Sequence, residues 1–414
     1  MNHLRIFIPA DVLDSYVYFG YLFSVFRDGT LRVLSLHKVY ETLVSIHPHF
    51  EGILRLAILR NDWLDNSQAG AFLNIRRFRK VLEKAWNDFA LNGFTIEFDN
   101  DNNWQVLCEV PAMPIYDIRL YATRVYLAHR DGVREGRLFF NDRELRLESP
   151  LARIFDARTV SISARSGSLM FSADNEGLYC GSLWNEEKTA KVSSRSYAKR
   201  SLRTGWSSFD VVNYEKQSYF SYLENEIERR KARRPFRYSE IDEYPEKIEI
   251  VRIAVKRYSM DEVLKKVPFN YSDVQYCFNS TTACFFFLKD GRFVRVNFAR
   301  EIHNEVRLRS KIHDLSFGTQ EIVSNNPCSA VAFPLGCVIE YFDKVLLFHD
   351  NGVATLEDSP VISVRTFPTS RRFRRQICIT REDGIALHTV FPTEDEISRI
   401  IEPNRVQRMA GVAA

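Results

Sequence analysis

Asp273 to Phe298 reads DVQYCFNSTTACFFFLKDGRFVRVNF. It divides into a short apolar strand over Val274 to Phe278, a turn, a second strand over Ala283 to Leu288, a Lys289-Asp290-Gly291 hairpin and a third strand over Phe293 to Phe298. Asp-Gly between two apolar runs predicts a hairpin, because a type I′ turn needs positive φ at both central residues and glycine adopts it without strain. The runs are dense in aromatic and β-branched residues, which pack well on a pleated surface.

Outward from this stretch the same phrase returns with other residues. Tyr16 to Phe26, Arg27-Asp28-Gly29 and Leu31 to Leu36 form the first copy. Arg119 to Ala128 and Gly136 to Phe140 flank Asp131-Gly132, and Val160 to Ala164, Leu169 to Ser172 and Leu178 to Trp184 are parted by Ser166-Gly167 and Asn175-Glu176-Gly177. A weaker copy spans Trp206 to Tyr222, with its turn at Tyr214-Glu215-Lys216-Gln217. Val331 to Phe333, Cys337 to Phe342 and Val345 to Phe348 lead to His349-Asp350-Asn351-Gly352; Val361 to Phe367, Ile377 to Thr380 and Ile385 to Val390 surround Asp383-Gly384. Gly52 to Leu64 and Ile248 to Val255 also read as strands, Phe94 to Phe98 pairs with Trp104 to Val110, and Val306 to Ile312 alternates like an outer strand.

Turn glycines fall at positions 29, 132, 177, 291, 352 and 384. Self-similarity at roughly 35 to 60 residues, built from short strands, predicts an all-β β-propeller. A four-stranded blade cannot bury both faces alone, and its neighbours in the ring do so for it. About seven blades fit the length, six or eight being compatible. The isolated Leu4 to Ile8 completes the last blade in this reading, so that N- and C-terminal strands close the ring and remove exposed edges. Orthogonal β-sandwiches, or separate β and α+β domains, are the alternatives. The chain resembles β-propeller proteins of the broad WD40-like or quinoprotein-like kind in architecture only, since no Trp-Asp dipeptide ends a blade, no Gly-His pair opens one and Kelch double glycines are absent.

Two stretches break the pattern inside the single propeller domain expected over 1–400. Over 67–91, Phe72, Ile75, Phe78, Val81, Leu82, Ala85 and Phe89 recur at three- and four-residue steps, predicting an inserted helix with these residues on its apolar face. Residues 224–245 are charged and poor in aliphatics, and read as an exposed loop; 401–414 read as a frayed tail.

Composition excludes more than it selects. Fifty-seven basic residues against 53 acidic give a net charge of only +4, so any nucleic-acid site has to come from local clustering. Seven scattered cysteines, none in a Cys-x-x-Cys pair, read as buried free thiols of a reducing compartment. The N-terminus lacks the pattern of a signal peptide and no apolar run is long enough to span a membrane, which together predict a cytoplasmic protein. Phosphate-binding glycine loops, nucleophile elbows and dinucleotide fingerprints are absent. Asp99 to Val110 lacks the glycine and glutamate of a calcium loop, and His47-Pro48-His49 has no helical ligand spacing. His129, His303, His313, His349 and His388 fall near turns, where exposure is expected. No catalytic residue, metal or cofactor is therefore predicted.

Basic clusters remain. Arg229, Arg230, Lys231, Arg233, Arg234 and Arg237 lie among aromatics and glutamates; Lys199, Arg200 and Arg203 sit in a serine-rich run; Arg371, Arg372, Arg374 and Arg375 bracket Phe373. Guanidinium groups pair with phosphates and aromatics stack on bases, so RNA or DNA is a possible partner if these loops converge; a solvated charged face is the ordinary alternative. The leading expectation is a non-enzymatic interaction scaffold, a subunit of a multiprotein complex, with Arg76, Arg77, Arg79 and Lys80 on the inserted helix as candidate protein contacts. A propeller enzyme is the third possibility.

Overall fold

The hairpin at residues 283–297 forms with a loop one residue longer than the type I′ turn expected. Gly291 alone has positive φ (90°), its amide donates to the Leu288 carbonyl (2.9 Å), and the Leu288 amide donates to that of Arg292 (2.8 Å). This is a three-residue loop, a type I turn closed by a left-handed glycine. True two-residue loops with both φ positive occur instead at Phe19-Gly20, Ala122-Thr123 and Ser166-Gly167.

The computed structural model describes residues 3–64, 73, 75–90, 94–98, 103–110, 114–140, 145–148, 150–183, 189–207, 210–231, 247–264, 267, 269–280, 283–297, 312–314, 327–334, 336–349, 352–370 and 372–392. Its strands form seven sheets, the blades of a seven-bladed β-propeller. The chain clusters into two compact units, one of residues 1–111 and 327–414, the other of residues 112–326.

The first unit holds three sheets. One has the order β2 (Val12–Tyr18), β3 (Tyr21–Phe26), β4 (Thr30–Ser35), β6 (Gln105–Glu109). The next runs β24 (Ser329–Phe333), β25 (Gly336–Glu340), β26 (Val345–His349), β27 (Gly352–Glu357). The third joins both ends of the chain: β28 (Ser363–Thr366), β29 (Gln376–Arg381) and β30 (Gly384–Val390) continue into β1 (His3–Pro9), which carries β5 (Phe94–Thr95) in parallel on its far side. Strand β1 pairs antiparallel with β30 from His3↔Val390 to Pro9↔Gly384. Alternation puts Leu4, Ile6 and Ile8 in the interior, each contributing roughly 1.5–3 kcal/mol of apolar burial. The chain ends thus complete one blade, as the unpaired strand at the N-terminus predicts.

The second unit holds four sheets. They comprise β7 (Ile115–Tyr121), β8 (Arg124–His129), β9 (Gly132–Phe140), β10 (Leu145–Leu147) and β11 (Ala152–Phe155); then β12 (Ser161–Arg165), β13 (Ser168–Ser172), β14 (Leu178–Ser182) and β15 (Lys191–Val192). The other two are β16 (Arg203–Ser207), β17 (Asp210–Lys216), β18 (Tyr219–Lys231) and β19 (Lys247–Ser259), and β20 (Val274–Asn279), β21 (Ala283–Leu288), β22 (Phe293–Asn297) and β23 (Ile312–Asp314). Each neighbouring pair shares a core layer: Tyr126 and Val133 meet Phe171 and Leu169, Met170 and Leu178 meet Val211 and Leu223, and Tyr214 and Phe220 meet Phe286 and Val294. The polar edges of the first strands are satisfied across the same gaps. Asp117 accepts from the Ile162 amide (2.7 Å), the Ser163 and Thr204 hydroxyls are hydrogen-bonded, and Tyr214 donates to Asn279 (2.7 Å).

Three readings need correcting. Phe94 to Phe98 and Trp104 to Val110 do not pair with each other, since β5 lies parallel to β1 and β6 antiparallel to β4. The stretch 224–245 is not a loop from its start, because Glu224–Lys231 continues β18 and pairs with β19 as far as Lys231↔Lys247. Since β17 pairs with β18 only as far as Leu223, the extension is a two-stranded ribbon held by its backbone ladder. Residues 232–246 and most of the predicted strand 306–312 lie outside the described residues. Gly52 to Leu64 is helical, for reasons given below.

One carboxylate fastens the closing blade. Glu357, at the end of β27, accepts from Arg5 of β1 (2.7 and 3.2 Å), Arg381 at the end of β29 (2.5 Å) and Nε2 of His388 on β30 (2.9 Å). Burial alone would raise its pKa, but these donors outweigh that and hold it well below the ordinary carboxylate range. Burial keeps His388 neutral, its pKa lowered despite the pull of Glu357, and lowers that of the neighbouring His3 to about 4. A depressed carboxylate adds stability that is complete above its unfolded pKa and lost as pH falls; histidines kept neutral make the unfolded chain the better proton acceptor below about pH 6.5. Stability measured by denaturant melts should therefore decline from pH 7 toward pH 4. Glu357→Gln should cost about 2–4 kcal/mol at pH 7, a gap that narrows below pH 4.5. An unchanged melt in this variant would show that the network does not hold the seam.

Candidate functional site

The first unit departs from its repeat between β4 and β6. Leu36, Val39, Tyr40 and Leu43 recur with helical spacing and are the buried face of α1 (Leu36–Ile46), a helix the strand reading of Leu31 to Leu36 did not anticipate. Pro48 starts a short 3-10 turn, α2 (Glu51–Leu54) follows, and the chain widens into a π-helical turn at Arg55–Leu59, where the Arg60 amide reaches back to the Arg55 carbonyl (2.9 Å). Ile53, Leu54, Ala57 and Ile58 are the buried residues here. Their spacing of one, three and one follows a helix face, whereas a strand would bury alternate residues, and this is why the expectation of a strand at 52–64 fails.

The predicted insertion contains α3 (Arg76–Ala90). Its C-terminal half is anchored. Trp86 packs on Phe391 (centroids 5.1 Å), and Phe89 stacks on Phe94 (4.0 Å) and meets Phe50 (4.8 Å). The N-terminal half outruns that core. Ile75, Phe78 and Val81, predicted as part of the buried stripe, are 55%, 48% and 65% exposed. Arg76, Arg77 and Lys80 lie beside them on the outside, whereas Arg79 is buried and pairs with Glu83 (3.6 Å). Phe72 lies outside the described residues.

A groove of about 510 Å³ opens nearby in sequence, formed by the β2–β3 turn, the start of α1, the π-helical turn and the loop before β29. Phe19, Tyr21, Trp63 and Phe373 supply aromatic walls, and Arg55, Arg60 and Arg372 supply cations; none of its lining residues is acidic. Arg60 lies over the Trp63 ring (4.6 Å) and is paired with Asp62 (3.1 and 3.2 Å). The sequence reading singled out only Arg372, with the adjacent Phe373, from this group. Tyr18-Phe19-Gly20-Tyr21 carried a turn signal, hidden because 16–26 read as one apolar run.

The other basic clusters fare unevenly. Arg229, Arg230 and Lys231 stand on the β18 ribbon, whereas Arg233, Arg234, Arg237 and Arg371 lie outside the described residues. Lys199 and Arg200 are exposed, and Arg200 pairs with Asp174 (3.6 Å). Arg203 is half-buried, its guanidinium over Tyr214 (4.0 Å) and Tyr276 (5.0 Å) and donating to the Cys277 carbonyl, so it supports a blade junction. Arg374 is exposed, but Arg375 is fully buried.

His129, His349 and His388 are buried, against the expectation from their nearness to turns, because each lies on a strand rather than in the loop beside it. Among the described residues no three His, Cys, Asp or Glu side chains are grouped to hold a metal. No helix among them is long and apolar enough to cross a membrane.

Fold and surface define a seven-bladed β-propeller carrying a helical excursion whose face is apolar and basic. No family model and no curated protein matches the chain. Solved structures do. The chain is similar to the WD40 β-propeller domain of Doa1 (10% identity, 95% of this chain and 94% of that one, TM-score 0.41) and to Sqt1 of Saccharomyces cerevisiae (8%, 90% and 82%, TM-score 0.42). It is also similar to PorZ of Porphyromonas gingivalis, a surface component of the type-IX secretion system, and spans 40% of that protein's length (8% identity, 95% of this chain, TM-score 0.46). Likenesses at this level concern fold alone, and the fold assignment rests on the seven sheets themselves.

All seven cysteines are free, and Cys328 alone is exposed. Burial pushes the thiols of Cys180, Cys277 and Cys378 up to about 12 and that of Cys108 to about 11. A thiol titration at pH 8 should accordingly find one reactive group in the native protein and seven in denaturant. Rapid reaction of several thiols would contradict the packing of the blades around them.

Proposed function

We propose that this protein is a non-enzymatic interaction scaffold and a subunit of a multiprotein complex, whose partner docks on α3. The observation that carries this reading is a 15-residue helix anchored at Trp86 and Phe89 while Ile75, Phe78 and Val81 face outward. A large apolar side chain in water is unremarkable singly; three on one turn-to-turn stripe, rimmed by cations, mark a surface suited to a partner. Arg76, Arg77 and Lys80 select an acidic one by charge complementarity, which acts on encounter rate and orientation more than on affinity.

In this reading residues 1–400 work as one domain with 401–414 as a tail. The seven unpaired cysteines are in keeping with a reducing compartment, the cytoplasm. Missing catalytic and phosphate-binding motifs support the non-enzymatic assignment. The arginine-rich ribbon and loops are kept as a possible nucleic-acid contact only as an outcome of the test.

Tagged protein recovered gently from its own cells, with and without nuclease, should carry a stoichiometric protein partner that survives nuclease. Ile75→Glu with Val81→Glu should release that partner while leaving the thermal midpoint unchanged, since both residues lie outside the core. Recovery of a bare chain in every lane would overturn the scaffold reading; loss of the partner on nuclease treatment would transfer the role to the arginines.

A further inference from the structure

The groove in the first unit is distinct from the α3 face and carries its own chemistry. Its cationic side is built from Arg55 on the π-helical turn, Arg60, and Arg372. Not all of that charge is available. Arg60 is held by Asp62, and the imidazole of His37, also in the wall, lies 3.3 Å from Glu41. The other two guanidinium groups are both exposed: Arg372, and Arg55, which lies near the Tyr40 ring (5.9 Å) and donates to the Tyr40 hydroxyl, itself donating to Glu51 (3.1 Å). The start of α1 adds to this field: Ser35 makes no side-chain cap, and the first turn contains no acid.

The apolar side is as specific. Phe19 is 57% exposed and held at φ 53°, in the left-handed region. The two-residue β2–β3 turn, whose central residues both have positive φ, holds the ring out at the groove edge. Trp63, 41% exposed, presents the other rim, with the Arg60 guanidinium on one side of it. Two rim aromatics in water suit a chain laid along the groove better than a small molecule, which would leave both rims wet. Two exposed cations suit one or two carboxylates, whereas a nucleic-acid backbone needs a longer basic track.

We propose that this groove binds an acidic peptide segment of a partner protein, a carboxylate side chain at Arg55 and Arg372 and an adjoining aromatic side chain among Phe19, Tyr21 and Trp63. Carboxylate recognition by planar guanidinium groups supplies direction, and the aromatic contact supplies most of the buried area. The site does not depend on the α3 face, so each can fail without the other.

The test uses the full chain with its five tryptophans replaced by 5-fluorotryptophan, the Trp63 fluorine signal being identified from Trp63→Phe. The probe is the peptide acetyl-Gly-Glu-Asp-Phe-Glu-Asp-Gly-amide. It should shift the Trp63 signal with a salt-sensitive Kd. Its Gln/Asn twin, and its twin with Ala for Phe, should each bind about tenfold more weakly or worse, the usual loss when a charge-assisted contact or an aromatic anchor is removed. Arg55→Gln with Arg372→Gln should weaken the acidic peptide by at least about tenfold. Arg372→Gln alone, at an exposed position that leaves the fold intact, should show part of that loss. A Trp63 signal unmoved up to millimolar peptide, equal binding by the neutral twin, or equal binding by the arginine variants would overturn the proposal. Tighter binding of a uridine decamer than of the peptide would do so too, assigning the groove to nucleic acid.

Discussion

Seven residues at the start of the chain lie against seven at its end, and backbone hydrogen bonding between β1 and β30 does two things at once. It covers an edge that would otherwise present unpaired amides and carbonyls, and it lays Leu4, Ile6 and Ile8 into the interior of the last blade. Because side chains alternate across a strand, that register also fixes where Arg5 falls, and Arg5 is what Glu357 of the preceding sheet receives. A slip by one residue would expose the three aliphatics and withdraw the guanidinium together. The backbone ladder and the ion network are therefore one constraint.

The blades of the second unit obey the same logic without a chain-end seam. Every sheet there is apolar on both faces, so each becomes stable only against its neighbours, through core layers such as that of Tyr214, Phe220 and Phe286. Polar groups in these junctions are bonded across to the adjoining sheet in named cases: Asp117 accepts from the Ile162 amide and Tyr214 donates to Asn279. Arg203 belongs to this class. Its charge is spread over two tyrosine rings and a carbonyl, so a residue that looks like a nucleic-acid contact is a spacer between blades.

Both proposed binding surfaces lie on what the repeat does not need. The excursion between β4 and β6 supplies α1, the π-helical turn and α3, and all three keep one side committed to the core; Arg55 on the π-helical turn and Arg76, Arg77, Phe78 and Lys80 on α3 are exposed. Rings at Trp86 and Phe89 hold α3 down at one end only, and the apolar residues of its other end stay in water. The groove gathers Phe19, Arg55, Trp63 and Arg372, residues of four separate segments. Both surfaces are open to solvent, an arrangement compatible with the docking roles proposed for them.

Much of the architecture was written locally. Apolar runs recurring around turn glycines at uneven intervals specify short antiparallel strands, an unpaired strand at one end of the chain predicts the seam, and the three-and-four spacing of 75–89 specifies a helix; each is a property of neighbouring residues. Other features depend on which surface meets which. Periodicity marks the stripe Ile75, Phe78, Leu82, Ala85 and Phe89 as apolar but cannot tell how far the core extends beneath it, so the exposed half of α3 emerged only from packing. Gly52 to Leu64 is apolar enough for a strand or a buried helix, and contact with α1 decided it. Whether Arg79, Arg203 and Arg375 are surface charges or interior ones, and whether His129 and His388 are wet, depends on strands far away in sequence. The groove is the extreme case, since Phe19 and Arg372 are brought to one wall by closure of the blades rather than by anything in their own surroundings.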